Sequence, residues 1–230
     1  MSESIYPVPA HIKNAALVDN DKYNTLYKQS IDDPEGFWRE HGKRLDWSTP
    51  YNKVKNTSFD KGHINIRWYE DGQLNASYNC IDRHLAKNAN KTALIWEGDN
   101  PEQSENISYQ KLHDEVAKLA NGLKKLGVSK GDRVAIYMPM TPQAIYAMQA
   151  CARIGAIRSV VFGGFSPSAI ADRNNDSGAK VVITADEGRR AGNCVPLKAN
   201  VDEAVSQDSV TSVEHIIVHQ LTGGDVEWNS

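Results

Sequence analysis

Short apolar segments alternate with helix-length amphipathic segments along the last two thirds of the chain. The apolar segments are rich in β-branched residues, which favours strands. Strands are predicted at residues 92–96, 132–137, 157–162, 181–185 and 214–218. Strands that are apolar throughout are typical of a parallel sheet, and helices supply the long connections that parallel pairing needs. We therefore predict an α/β fold with a doubly wound, mainly parallel sheet and helices on both faces.

Residues with capping preferences mark the ends of the predicted helices. Ser108 can cap a helix that ends before Gly127, and glycine suits the left-handed residue after a helix. Pro142 and Pro167 suit the first helical position, because proline loses no needed hydrogen bond there. With a further helix at residues 196–205, every connection between predicted strands contains a helix.

The first third of the chain is rich in aromatic residues and lacks this alternation. Helical spacing predicts a helix at residues 22–30, and Asp33 can cap the next one. Alternating apolar and polar positions predict a strand at 63–69. Since aromatic side chains mainly supply buried area, we predict that residues 1–78 are a helical and extended N-terminal extension that packs on a body of residues 79–230.

The composition is that of an ordinary globular protein, with 40% hydrophobic and 24% charged residues. The net charge of −3 gives no general attraction to nucleic acid or anionic membranes. No run of about 18 apolar residues could span a membrane, and the start lacks the pattern of a secretory signal. We predict a cytoplasmic protein whose ligands are small molecules, with no nucleic acid and no membrane as partners.

Cysteines and histidines give no sign of a disulfide or metal site. Cys80, Cys151 and Cys194 are odd in number and widely spaced, which fits neither a disulfide framework nor a paired ligand motif. The histidines show no clear metal-ligand spacing. We predict reduced thiols and no metal-binding residue in this chain.

A glycine-containing loop follows the third predicted strand. The sequence Phe-Gly-Gly-Phe-Ser-Pro at 162–167 leads from that strand into a helix. Ligands of open α/β sheets lie at the carboxyl ends of the strands. Gly163 and Gly164 allow a ligand or another backbone to approach closely, and the helix that follows offers free N–H groups to an anion. A tight turn before an ordinary capped helix is the alternative.

The same loop resembles the nucleophile elbow of serine hydrolases, with Ser166 as the nucleophile. Ser168 stands where that motif has its second glycine, and Pro167 has no N–H for the oxyanion hole. Loss of one such donor typically costs about 3 to 4 kcal/mol of transition-state stabilisation, so we disfavour a hydrolase.

The loop after the fourth predicted strand carries two adjacent arginines. Arg189 and Arg190 lie between glycines, and a guanidinium group matches phosphate oxygens. Neighbouring side chains usually point apart, so at most one arginine is expected to face a ligand. The alternative is a solvated charge cluster in which Asp186 and Glu187 balance the arginines.

Two common nucleotide-binding motifs are absent from the sequence. Gly-x-Gly-x-x-Gly does not follow the first predicted strand, which disfavours a dinucleotide-dependent dehydrogenase. Gly-x-x-x-x-Gly-Lys-Ser/Thr occurs nowhere, which excludes a P-loop NTPase.

Seven ordered blocks resemble the bacterial AMP-forming acetyl-CoA synthetases, which are acyl-adenylate-forming enzymes. They lie at residues 53–59, 68–72, 79–85, 94–98, 130–140, 150–156 and 161–167. Gly-Asp-Arg-Val at 131–134 marks the wider superfamily, whereas Phe-Gly-Gly-Phe-Ser at 162–166 points to the acetate and propionate branch.

The resemblance implies a two-step reaction. Acetate attacks the α-phosphate of ATP, with help from Mg²⁺, to give acetyl-AMP and pyrophosphate. The thiol of coenzyme A (CoA) then attacks the acyl carbon and releases AMP. Phe162, Gly163 and Gly164 resemble part of the family's CoA site. A second implied contact comprises four residues of the next loop, Arg190, Ala191, Gly192 and Asn193.

The sequence departs from the family at two places within the chain. Asn193 replaces a residue that is usually basic, and since charge-assisted bonds contribute about 1.5 to 3 kcal/mol, we expect a weaker phosphate contact. Asn174 and Asn175 replace a usually apolar pair, so we expect their helix to pack less well or these positions to be more exposed.

The family's ATP-phosphate loop, acetate pocket and domain with the catalytic lysine are absent from this sequence. The polar end at 221–230 indicates an interrupted loop. We expect residues 79–230 to be the first α/β subdomain of a truncated domain that the remainder of the same polypeptide completes. No residue is assigned a catalytic role, and the chain alone is predicted to be inactive. The alternative is a stand-alone flavodoxin-like module that binds a nucleotide or CoA without catalysis.

Overall fold

The computed structural model describes residues 6–228, and the chain divides into two units, Met1–Leu74 and Asn75–Ser230. The extension and body predicted at 1–78 and 79–230 differ from these units by a few residues at the boundary. Their assignment as an extension and a first subdomain stays a prediction.

The first unit contains helices and one hairpin. The helices are α1 (Ala10–Ala15), α2 (Asn20–Asp32) and α3 (Pro34–Gly42), and the antiparallel strands are β1 (Lys55–Ser58) and β2 (Asn65–Trp68). Asp33 caps α3 by accepting the N–H of Gly36 at 3.0 Å. The two helices and the strand predicted here are confirmed, whereas α1 and β1 have no counterpart in the sequence prediction.

Aromatic rings pack on one another within the first unit. The Trp47 ring centroid lies 4.8 Å from that of Tyr51 and 5.3 Å from that of Tyr69. Trp38 and Trp68 meet at 5.9 Å, and the Tyr69 hydroxyl donates to the Trp38 carbonyl at 2.7 Å. These side chains stabilise the unit itself, and their role in packing on the body stays a prediction.

The second unit begins with a π-helical turn at Tyr78–Asp82 and then mixes helices and strands. Its helices are α4 (Arg83–Asn88), α5 (Tyr109–Lys125), α6 (Pro142–Ile154), α7 (Pro167–Ser177) and α8 (Leu197–Val205). Its strands are β3 (Thr92–Glu97), β4 (Ser104–Ser108), β5 (Arg133–Met138), β6 (Ile157–Phe162), β7 (Val181–Ala185), β8 (Gly188–Arg190), β9 (Asn193–Val195) and β10 (His215–His219).

Four strands form a parallel sheet in the order β6–β5–β7–β10. The central strands β5 and β7 are buried along nearly their whole length, as strands covered on both faces are. Right-handed crossovers put α6 on one face and α7 and α8 on the other. In agreement, α5 packs on α6 and α7 packs on α8. The predicted doubly wound α/β fold is confirmed.

Capping residues explain where the helices begin and end. The Ser108 hydroxyl accepts the N–H of Lys111 at 3.1 Å at the start of α5. Gly155 follows α6 with a φ of 74°, the left-handed conformation that favours glycine. The predicted strands at 157–162 and 181–185 match β6 and β7.

The segment predicted as a strand at 92–96 does not join the parallel sheet. As β3 it pairs antiparallel with β4 in a separate hairpin. The β4 sequence, Ser-Glu-Asn-Ile-Ser, has a single apolar residue, so its composition gave no strand signal. The body therefore combines a four-stranded parallel sheet with local hairpins.

Candidate functional site

The loops that follow β5, β6 and β7 lie at one edge of the sheet, because parallel strands share the edge at which they end. The switch in strand order lies between β5 and β7, since β6 and β10 extend the sheet in opposite directions. This is the place where open α/β sheets bind ligands. The two loops singled out from the sequence therefore open on the same edge.

Tyr137 anchors the loop after β6 through hydrogen bonds. This β5 residue is fully buried, and its hydroxyl lies 3.0 Å from the Phe165 carbonyl and 3.2 Å from the Gly163 carbonyl. Asn200 of α8 donates to the same hydroxyl at 3.1 Å. Burial raises the pKa of the Tyr137 phenol, although the bond from Asn200 lowers it. The phenol therefore stays protonated and anchors the glycine loop.

Gly164 is needed for close packing in this loop. A Cβ atom there would lie 2.8 Å from Cε1 of Phe162 and 3.3 Å from Nη1 of Arg190. At Gly163 the nearest atom, the Met138 carbonyl oxygen, would be 3.4 Å away, which is an ordinary contact. The expected close approach is thus found at Gly164, where the Arg190 side chain enters.

The two arginines lie on a short hairpin formed by β8 and β9. Arg189 pairs with Cys194 and Arg190 with Asn193, so Ala191 and Gly192 form the turn. Successive side chains of a strand point to opposite faces, which separates Arg189 from Arg190. The guanidinium carbon of Arg190 lies 5.3 Å from the centroid of the Phe162 ring. Arg190, and not Arg189, therefore contacts the loop after β6.

Aromatic rings and guanidinium groups form one exposed surface here. Phe162 is 56% exposed and Phe165 is 37% exposed, and their rings meet edge to face at 5.9 Å. Arg190 lies over the first ring and Arg173 over the second, at 4.3 Å. Within residues 6–228, Arg190 has no carboxylate within ion-pairing distance. The surface thus combines a flat apolar face with a free cation, which suits a base joined to phosphates.

Asp186 is buried, which the sequence-based alternative of a solvated charge cluster did not anticipate. Its carboxylate accepts the backbone N–H groups of Glu187 at 2.7 Å, Leu221 at 2.8 Å, Gly223 at 2.9 Å and Thr222 at 3.2 Å. Burial alone would raise the pKa of this carboxyl, but these donors together hold the pKa below its ordinary value. Asp186 therefore fixes the chain after β10 to the same edge of the sheet.

Two of the polar residues considered from the sequence have local roles. The Ser166 hydroxyl accepts the N–H of Ala169 at 3.3 Å and thus caps α7. The Asn193 amide donates to the Ala191 carbonyl at 3.3 Å, within its own turn. Hydrogen bonds from the Thr222 hydroxyl, at 2.6 Å, and from the Cys194 thiol lower the pKa of the Glu187 carboxyl, and the charge of Arg189 lowers it further.

Within the described part of the chain, no group of three or more His, Cys, Asp or Glu residues is arranged to hold a metal ion. In the same residues, no helix is both long and apolar enough to cross a membrane.

Residues 81–228 match the family model described as "AMP-binding enzyme". The chain belongs to this family. Residues 23–80 match a second model, described as "Acetyl-coenzyme A synthetase N-terminus".

Curated members of this AMP-binding family are closely similar. The chain is 84% identical over 229 residues to the acetyl-coenzyme A synthetase of Pseudoalteromonas translucida (strain TAC 125), covering 100% of this chain and 35% of that protein. It is 59% identical over 223 residues to that of Salmonella typhi, covering 97% of this chain and 34% of that protein. The chain thus spans about a third of the length of these relatives, and the resemblance to an N-terminal part of acetyl-CoA synthetase is confirmed.

A solved structure supports the same fold. The acetoacetyl-CoA synthetase from Streptomyces lividans superposes with a TM-score of 0.78 at 25% sequence identity, over 95% of this chain and 33% of that one. The fold described above is therefore similar to about a third of that acetoacetyl-CoA synthetase.

Proposed function

We propose that this chain is the N-terminal part of an acetyl-CoA synthetase, which converts acetate, ATP and CoA to acetyl-CoA, AMP and pyrophosphate through acetyl-AMP. The observation that carries the proposal is the identity of 84% to an acetyl-coenzyme A synthetase across 229 residues. The match to two successive family models, over 23–80 and 81–228, supports it. The other two thirds of the enzyme come from the remainder of the same polypeptide.

Within that enzyme, we assign the exposed edge of the sheet to CoA. Phe162, Gly163 and Gly164 line the path of the ligand, and Arg190 binds a phosphate. The supporting geometry is the 5.3 Å contact between the Arg190 guanidinium and the Phe162 ring, beside a glycine that leaves room for both. An adenine ring can stack on an exposed aromatic face, and a guanidinium binds phosphate oxygens in a bidentate manner.

The turn residues Ala191, Gly192 and Asn193 complete this proposed contact. Asn193 carries no charge, and its amide is engaged with the Ala191 carbonyl. Phosphate recognition within this chain therefore falls on Arg190, and we expect weaker binding than with a second cation at position 193.

The proposed reaction places ATP and Mg²⁺ mainly outside this chain. Mg²⁺ neutralises phosphate charge when ATP is bound, and it prefers carboxylate and phosphate oxygens. Three carboxylates at this edge of the sheet are already engaged: Asp186 and Glu187 accept hydrogen bonds from Thr222, and Asp99 accepts the N–H groups of Ala191 and Gly192. We therefore assign no metal ligand and no catalytic residue here. Free cysteines and an ATP-dependent reaction fit a cytoplasmic location.

The reaction is tested on the purified product of the complete gene. We expect AMP and pyrophosphate to accumulate over many turnovers in ³¹P NMR spectra only when acetate, ATP, Mg²⁺ and CoA are all present, with acetyl-CoA formed in equal amount. Without CoA the reaction should stop at one equivalent of acetyl-AMP and pyrophosphate per enzyme. Propionate in place of acetate measures the preference between the two acids. Formation of ADP and phosphate, or turnover without acetate, would contradict the proposal.

The chain of 230 residues is expected to be inactive by itself, because the groups that would stabilise charge on the α-phosphate lie elsewhere. Acetate-dependent exchange between ATP and labelled pyrophosphate should stay at background. The alternative of a stand-alone flavodoxin-like module draws support from the strand order β6–β5–β7–β10. Calorimetric titration of the chain with CoA and with ATP distinguishes the fragment from the stand-alone module. A stand-alone module would bind one of these ligands tightly, whereas a fragment of a shared site would bind both weakly or not at all.

A further inference from the structure

We propose that Asp99 is a positioning residue for the Arg190 guanidinium, a role that rests on the CoA site proposed above. The two oxygens of the Asp99 carboxylate accept one hydrogen bond each from the hairpin turn. Ala191 donates its N–H to Oδ1 at 2.8 Å, and Gly192 donates its N–H to Oδ2 at 2.8 Å. Asp99 lies 92 residues earlier in the sequence than Ala191 and belongs to another hairpin.

The turn at Ala191 and Gly192 needs an external partner. The strands that it connects, β8 and β9, have only three residues each, and a two-stranded hairpin of this kind is marginally stable by itself. Ala191 also takes a φ of 49°, a left-handed conformation that is costly for a residue with a Cβ. A carboxylate that accepts both N–H groups stabilises this conformation directly.

The loop that carries Asp99 is itself tied to the sheet edge. The Gly98 N–H donates to the Gln103 carbonyl at 2.7 Å, which closes the loop between β3 and β4. The indole N–H of Trp96 donates to the Met140 carbonyl at 2.9 Å, in the loop after β5. Asp99 therefore connects the arginine hairpin to a fixed point on the edge where β5 and β6 end.

The consequence is a defined position for Arg190. Its neighbour Ala191 is held by Asp99, so the β8 end cannot swing away from the loop after β6. Arg190 then stays over Phe162 and beside Gly164, where it can bind a phosphate. Because the turn N–H groups are occupied by Asp99, the phosphate contact is made by the guanidinium and not by the turn backbone.

If Asp99 acted only through its negative charge, its removal would change CoA binding in the opposite direction from that expected of a positioning residue. An anion close to a phosphate site repels the ligand, so its removal would strengthen CoA binding. A positioning role means that removal weakens CoA binding, because Arg190 loses its fixed place. The sign of the change in KM for CoA therefore separates the two views.

The first experiment measures steady-state kinetics of the complete gene product with Asp99→Asn. Asparagine keeps the size of the side chain, but its NH₂ group faces one of the two N–H donors, so one bond is lost. We expect the KM for CoA to rise about fivefold, the effect of one hydrogen bond, while kcat and the KM values for acetate and ATP change less than about twofold. Glu97→Gln, in the same hairpin, is the matched control. An unchanged or lower KM for CoA in Asp99→Asn would overturn the proposal.

A double-mutant cycle tests whether Asp99 acts through Arg190. In an Arg190→Gln background, Asp99→Asn should raise the KM for CoA no further, because the group that it positions is gone. An equal rise in both backgrounds would overturn the positioning role and indicate a general structural effect.

Amide hydrogen exchange in the chain of 230 residues isolates the Asp99 contact from CoA binding. Asp99→Asn should speed exchange of the Ala191 and Gly192 N–H groups about fivefold relative to Glu97→Gln, since one hydrogen bond is lost. Unchanged exchange would overturn the Asp99 proposal while leaving the CoA site intact. Faster exchange together with an unchanged KM for CoA in Arg190→Gln would overturn the CoA site, and with it the role of Asp99 in that site.

Discussion

Asn174 is a buried amide without a protein partner among residues 6–228, and its replacement by leucine should stabilise the fold. The residue lies in α7 with no exposed surface, and neither Oδ1 nor Nδ2 has a hydrogen-bond partner. Burial of an amide in this way costs about 1 to 3 kcal/mol in proteins. Leucine has the same number of side-chain heavy atoms and a higher helix propensity by a few tenths of a kcal/mol.

The expected gain in the free energy of unfolding for Asn174→Leu is about 1 to 3 kcal/mol. For a chain of this size each kcal/mol raises Tm by roughly 2 to 4 °C. Urea unfolding followed by circular dichroism measures the free energy, and differential scanning fluorimetry measures Tm.

Asn175 provides the matched control for this substitution. It is exposed, and its amide donates to the Ser209 hydroxyl at 3.2 Å. Asn175→Leu should therefore change the free energy of unfolding by no more than about 0.5 kcal/mol in favour of the fold. Equal stabilisation by both substitutions would refute the reasoning from burial, and destabilisation by Asn174→Leu would mean that the site cannot accept two methyl groups.

Three further predictions concern the anchoring residues and the thiols. Tyr137→Phe removes the donor to the Phe165 carbonyl and should lower the free energy of unfolding by about 1 to 2 kcal/mol in urea titrations; no loss would mean that water replaces the hydroxyl. The pKa of Asp186 is lower in the folded chain than in the unfolded chain. Its contribution to the free energy of unfolding is therefore fully present above the unfolded pKa, near 3.9, and is lost as the pH falls through the lower folded pKa. The stability difference between the wild-type chain and Asp186→Asn should therefore shrink from pH 5 to pH 3, and a constant difference would contradict this. Burial raises the pKa of the Cys151 thiol to about 11, so iodoacetamide at pH 8 should label exposed Cys80 and spare Cys151 by mass spectrometry; equal labelling would show that Cys151 is accessible.

Local sequence signals accounted for most of the helices and for the parallel strands. Ser108, Ser166 and Gly155 occupy the capping positions that their side chains or backbone conformations favour. The segments at 157–162 and 181–185 are rich in apolar and β-branched residues, and both are strands of the sheet. These elements follow from residues close together in the chain, which is why pattern alone predicts them.

Contacts between distant segments account for what pattern did not predict. Asp186 was interpreted as a possible partner of the arginines, but its donors at Leu221 and Gly223 lie 35 and 37 residues later. Likewise, β4 is a strand because it pairs with β3, not because of its composition. Tyr137 did carry a signal, since a phenol inside an aliphatic strand requires a hydrogen-bond partner.

The sequence predicted the candidate site only in part, because contacts between distant segments assemble it. Phe162, Gly163, Gly164 and Arg190 were selected as two separate loops, and the sheet brings them to one edge. The alternation of side chains along β8 determines that Arg190, and not Arg189, faces the glycine loop. The sequence did not predict this, because β8 is too short to be recognised as a strand. The assignment of these residues to CoA stays a prediction.

The KM for CoA of Arg190→Gln, compared with that of Arg189→Gln in the complete gene product, tests the proposed site most directly. Loss of a charge-assisted phosphate contact at an exposed side chain should raise the KM for CoA about tenfold in Arg190→Gln, and the values for acetate and ATP should remain unchanged. Arg189→Gln should stay within about twofold of the wild-type value, since its side chain lies on the other face of the hairpin. Equal effects of the two substitutions, or no effect of Arg190→Gln, would contradict the account.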